Sequence, residues 1–239
     1  ALPVWNTSLT DERNITVGLC SEPLRAGKYT FKAATSGFYR LFVNGAFVNF
    51  GPARCAHEFY RVDELALTLT EKENYVAVEV NNSYLNGFGQ LRQKGFIQAE
   101  IAAADGAVAA ATGKTGFAAY MIHERVRKVQ RYSFQRDFAE AYRFEGDIHA
   151  WRVGKPDKNA EPFTPGETEP KKLVERRIPI GNYPVLSPKS RLWYGDFVTG
   201  VAGEVYKDRS LIKLHDPTAG LLEGYDQPER GLALASHLG

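Results

Sequence analysis

Two stretches of this chain combine flat rings with hydroxyl-binding groups in loop-like surroundings. The first is "NNSYLNGFGQLRQ", which carries Tyr84, Asn86, Phe88 and Arg92. The second is "RLWYGD", which carries Trp193, Tyr194 and Asp196. Aromatic faces cover the apolar C–H surfaces of sugars, while amides, carboxylates and guanidinium groups hold the hydroxyls. Tyr84, Asn86, Arg92, Trp193, Tyr194 and Asp196 are therefore the candidate carbohydrate-binding residues. The competing reading is that these rings are core or interface aromatics.

Other reactive types form no recognisable constellation. His57, His123, His149, His215 and His237 are scattered, without HExxH or His/Cys spacing, so each reads as an ordinary structural or surface histidine and no metal site is assigned. "ATGKTG" contains Gly-Lys-Thr, but a phosphate-binding loop needs a glycine where Val108 stands. No GxSxG elbow is present, and neither cysteine lies in a nucleophile context. A glycosidase needs two carboxyl groups flanking one bond, and spacing along the chain singles out no such pair. No catalytic residue and no cofactor follow from these residues.

Charge narrows the partners. Thirty basic against 28 acidic residues leave a net charge of +2, too balanced for a nucleic-acid-tracking or membrane-adhering surface. The basic-aromatic run "HERVRKVQRYSFQR" accordingly reads as a solvated face or an interdomain contact rather than a single-strand binder. No stretch is apolar for the length a membrane-spanning helix needs. Cys20 and Cys55 match no zinc spacing and read as two buried thiols, with one disulfide as the alternative. Two cysteines suit periplasm, exterior or cytoplasm, with the first two slightly favoured, and the opening Ala fits a processed secreted protein and an expression fragment alike.

The elements that must position these residues are β. At 239 residues and 44% apolar content, the chain has material for one large or two ordinary folded domains. "KYTFKAA", "LALTLT" and "NYVAVEV" are short, β-branched or aromatic, and bounded by turn residues. "GFYRLFVNGAFVNF" reads as a hairpin closed by Asn44-Gly45, since a type I′ turn needs φ > 0 at both central residues. Regular pairing outward from Val43 and Ala46 puts Tyr39, Leu41, Val43, Ala46, Val48 and Phe50 on one apolar face. The other face then holds Phe38, Arg40, Phe42, Phe47 and Asn49. "FIQAEIAAADGAVAAATG" reads as a second hairpin, about Asp105-Gly106, because that dipeptide interrupts a helix. Strands without intervening amphipathic helices imply an all-β, jelly-roll-like sandwich over residues 1–153. "GKPDKNAEPFTPGETEP", with four prolines, reads as a linker over 154–170. Residues 171–239 then open a second, incomplete β unit.

The ordered set "GFYRLFVNGAFVNFGPAR", "YRVDELALTL" and "NYVAVEV" resembles the N-terminal β-sandwich region of bacterial α-L-rhamnosidases. A strand of the type Tyr-Arg-Leu-Tyr-Val-Asn-Gly corresponds to Tyr39–Gly45, a Gly-Pro-Ala-Arg segment to Gly51–Arg54, an acidic loop to Asp63, and a following strand to Asn74–Val80. "RYSFQRDFAEAYRF" and "KKLVERRIPIGNYP" resemble later landmarks, so the likeness spans most of residues 25–185. It implies a multidomain hydrolase that removes terminal α-L-rhamnose with inversion, using carboxylates on a helical toroid C-terminal to the β domains. This chain contains no toroid, so no catalytic residue carries over and the fragment is expected to be inactive. Its implied partners are a rhamnose-containing glycan, reached through the parent enzyme, and the catalytic domain. A stand-alone carbohydrate-binding or cell-surface module, or a purely structural sandwich, remains the alternative.

Overall fold

The computed structural model describes residues 1–129, 136–187 and 189–190. These residues form strands and two short 3-10 turns, Thr7–Leu9 and Ala150–Val153. The strands are β1 (Val4–Trp5), β2 (Ile15–Ser21), β3 (Gly27–Thr35), β4 (Phe38–Val43), β5 (Ala46–Gly51), β6 (Phe59–Leu69) and β7 (Val76–Asn82). They continue as β8 (Ile97–Ala103), β9 (Val108–Ala111), β10 (Phe117–Ile122), β11 (Ala160–Pro162), β12 (Gly166–Glu167) and β13 (Lys172–Glu175).

Two sheets result. One runs β12-β1-β8-β3-β6-β13 with β9 added beside β8; the other runs β11-β10-β2-β7-β4-β5. Their inner faces meet in one apolar core, with Phe31, Leu65, Leu67 and Ile101 from the first sheet against Val17, Leu19, Tyr39, Leu41, Val78 and Val80 from the second. The all-β sandwich expected from the sequence is the observed class.

The sheets differ in how they treat water. Along β6, buried and exposed residues alternate, as in a sheet with one wet face. All seven residues of β2 and all seven of β7 are buried, so the second sheet is covered on both sides. Its outer cover is the segment after β10, whose Trp151 packs with Phe42, Tyr120 and Ile122. Gly18 makes room for that ring: a Cβ at this position would lie 2.7 Å from the Trp151 indole. Burying such a side chain contributes about 1.5–3 kcal/mol.

The first hairpin forms where expected, with Asn44 at φ 49° and Gly45 at φ 79°. Its register is corrected by a bulge. Val43 pairs with Ala46 and Phe42 with Phe47, but Leu41 then pairs with Asn49, Arg40 with Phe50 and Tyr39 with Gly51. The extra residue is Val48, and every position beyond it changes face. Val48 is consequently 36% exposed and Asn49 is buried, while Phe50 stacks on Phe38 outside the core at 5.4 Å between centroids.

The second hairpin also forms, as β8 and β9, with Gly106 at φ 86°. The segment read as a linker does more than connect. β11 extends one sheet beside β10, and β12 extends the other beside β1. Prolines are compatible with such edge positions, where few backbone N–H groups are needed. β13 then runs parallel to β6, so strands on both sides of residues 154–170 belong to the same sandwich.

Beyond β13 the chain is tied back by a buried polar anchor. Asp63, wholly buried, accepts from Arg176 Nη1 at 2.6 Å through Oδ1 and from the Tyr39 hydroxyl at 2.6 Å through Oδ2. Arg176 also donates to the carbonyls of Ile178 and Pro179. Asn49 Nδ2 reaches Gly181 O at 3.3 Å, and the Tyr183 ring meets Phe50 edge-on at 5.9 Å.

Candidate functional site

The loop after β7 carries three of the residues singled out from the sequence, and the structure brings them together. Tyr84 has a left-handed φ of 50°, which turns its ring back across the loop. Its hydroxyl donates to Asp11 Oδ1 at 2.8 Å and accepts from Arg92 Nη2 at 3.1 Å. The Arg92 guanidinium lies 4.4 Å from the Tyr84 ring centroid, and the Arg92 backbone N–H donates to Asn86 Oδ1 at 2.9 Å. These groups hold the loop in shape. Leu85 anchors it from below, buried against Val126, Val129 and Phe138. Trp193, Tyr194 and Asp196 lie outside the described residues.

The loop presents its apolar tip instead. Phe88 is 71% exposed and Leu91 50% exposed. They border a groove of about 250 Å³ whose other wall is the segment between β5 and β6, including Arg54 and His57, together with Tyr60 at the start of β6. Arg54, Phe88 and Gly89 are shared with a wider opening of about 600 Å³, closed on its far side by Arg136, Asp137 and Glu140. Gln90 bridges the two walls by donating to Ser83 Oγ and Asp137 Oδ2. A ring beside a guanidinium and carboxylates can cover an apolar ligand face while engaging its hydroxyls. Arg54 and Asp137 were not among the sequence candidates; "GPAR" marked Arg54 only as a landmark.

Cys55 sits in the same loop between β5 and β6, exposed and free, which corrects the reading of two buried thiols. Cys20 is buried as expected, and burial pushes its thiol up to about 11.

The outer face of the second sheet, with its mixture of rings and charge, is an ionic layer roofed by residues 123–129 and 136–153. Glu79 accepts from Arg40 on one side and from Arg152 Nη2 at 3.4 Å on the other. The Arg152 guanidinium sits 3.8 Å from the Phe42 ring centroid. Burial alone would lower the Arg40 pKa, but the Glu79 carboxylate more than reverses this and holds Arg40 charged. Glu124, 2% exposed, has the opposite fate: burial, reinforced by Glu79 and opposed by Arg152 and Arg40, raises its carboxyl to about 7. The basic run also spends its charge internally, with Arg125 on Glu140 at 3.3 Å and Arg127 on Glu12. Tyr132 and Phe134 lie outside the described residues. Residues 136–149 contain no strand or helix, and Tyr142 forms an isolated bridge with Arg125.

No family model matches the chain, and among curated proteins there is no significant match. Solved structures do match. The GH78 family rhamnosidase of Bacillus sp. GL1 aligns with a TM-score of 0.63 and 26% identity, over 75% of this chain and 20% of that one. The native α-L-rhamnosidase from Aspergillus terreus aligns with a TM-score of 0.50 and 15% identity, over 73% of this chain and 22% of the other. At that identity the second match shows a shared fold. This chain thus spans about a fifth of the length of these enzymes, and the likeness to α-L-rhamnosidases read from its sequence is present in its structure.

Proposed function

We propose that this chain is the non-catalytic N-terminal β-sandwich portion of a bacterial α-L-rhamnosidase-like glycoside hydrolase, jelly-roll-like in its winding. It braces the catalytic domain and contributes to glycan contact through the groove at Phe88 and Arg54. The observation that carries this reading is the match to the Bacillus enzyme over three quarters of this chain but only a fifth of that one. The Asp63–Arg176 anchor supports the bracing role, because it ties the segment that leaves the sandwich to the sandwich itself. The parent's glycan carries terminal rhamnose.

The reading frame beyond Gly239 provides the test. Several hundred residues patterned as helical hairpins are expected. A stop codon, or a string of further sandwiches, overturns the proposal in favour of a free-standing binding module. The exposed Phe88 ring favours that second reading, and a glycan array of the 239-residue chain tests it separately.

A further inference from the structure

Another cavity, of about 370 Å³, lies between the outer face of the second sheet and its roof. Its sheet side presents Phe38, Phe50, Arg40 and Glu79; its roof presents Arg125, Asp137, Phe138 and Glu140. The polar groups are mostly matched. Arg40 and Glu79 pair, Arg125 Nη2 pairs with Glu140, and Asp137 Oδ2 accepts from Gln90. Two buried atoms on these lining residues have no partner among the described residues: the donor Arg125 Nε and the acceptor Asp137 Oδ1. Buried polar atoms are rarely left unmatched, and here one donor and one acceptor belong to residues that line the same cavity.

We infer that this cavity is a binding site for a small neutral polyhydroxylated ligand, of monosaccharide class. A hydroxyl both donates and accepts, so a polyhydroxylated ligand suits a lining that leaves one donor, Arg125 Nε, and one acceptor, Asp137 Oδ1, unmatched. The stacked Phe38 and Phe50 rings and the buried Phe138 ring supply flat apolar wall for C–H faces. Two guanidinium groups stand against three carboxylates in the lining, an excess of negative charge that repels phosphate or sulfate. The volume falls within the usual range for small-molecule sites, about 300–1,000 Å³. This inference rests on the lining alone and holds whether or not the chain belongs to a hydrolase.

The test is a titration of the isotopically labelled 239-residue chain with methyl glycosides of rhamnose, galactose and glucose, followed by amide NMR. Saturable shifts at Phe38, Phe50, Asp137 and Phe138 are expected, with a dissociation constant of about 1 mM for the preferred sugar. Asp137→Ala should weaken it about tenfold or more. Glu140→Gln, on a more exposed side chain, keeps the test valid if Asp137→Ala does not fold, and should weaken it several-fold. Val108→Ser, an exposed position on the other sheet and outside both this cavity and the Phe88 groove, should leave the constant unchanged. Absence of saturable shifts up to about 100 mM sugar overturns the inference. So do shifts confined to the Phe88 loop, or equal shifts produced by inorganic sulfate.

Discussion

Removing Arg176 probes how firmly the sandwich holds the segment that leaves it. In Arg176→Ala, Asp63 keeps its bond from Tyr39 but loses the cation 2.6 Å away, at a carboxylate with no exposure to water. Breaking a buried ion pair from one side costs about 3–5 kcal/mol. The Arg176 side chain retains 13% exposure, which admits some water to the vacated site and places the expected loss near 3 kcal/mol. For a chain of this length that corresponds to a fall in Tm of about 6–12 °C. Tyr39→Phe should cost about 1.5–3 kcal/mol, because it removes a hydrogen bond to a charged group. Both changes act on one carboxylate, so the double variant should depart from additivity by at least about 0.5 kcal/mol. Chemical denaturation of the four proteins measures this, and chymotryptic cleavage at Tyr183 reports release of the strap. A loss below about 0.5 kcal/mol for Arg176→Ala, with Tyr183 no more cleavable than before, refutes the anchor.

Gly18→Val should cost about 2–4 kcal/mol and shift the Trp fluorescence maximum to the red, because the new side chain must displace the Trp151 indole. Val48→Ser should change stability by less than about 0.5 kcal/mol, whereas Asn49→Val should cost about 1–3 kcal/mol. The unbulged register requires the reverse order. Glu124 links stability to pH: its folded carboxyl titrates near 7 against an ordinary 4.5, so the folded state keeps a proton that the unfolded chain releases. Stability attributable to Glu124 should therefore fall as pH rises from 4.5 to 7 and level off above. Glu124→Gln should flatten that window in a Tm-against-pH profile and raise Tm at pH 8.

The turns were legible because their chemistry is local: Asn44-Gly45 and Asp105-Gly106 tolerate the φ that each hairpin demands. The bulge at Val48 was not, since its benefit lies in distant contacts, from Asn49 to Gly181 and from Phe50 to Tyr183. "ITVGLCS" escaped notice because β2 is buried on both faces and shows no polar alternation. The proline-rich segment was read as a linker because composition reports what a backbone cannot do in a sheet centre, not what it can do at an edge. At the groove, Tyr84, Asn86 and Arg92 were recognisable as a group because one loop carries them. Arg54 and Asp137 come from segments far apart in the chain, and only the folding of both sheets sets them around Phe88.

The central claim, that this sandwich is an accessory part of a rhamnoside-cleaving enzyme, is tested most directly by assaying release of p-nitrophenol from p-nitrophenyl α-L-rhamnopyranoside. The 239-residue chain should release none, while the full-length product of the same reading frame should hydrolyse the substrate. Hydrolysis by the 239-residue chain alone, or none by the folded full-length product, would contradict the claim.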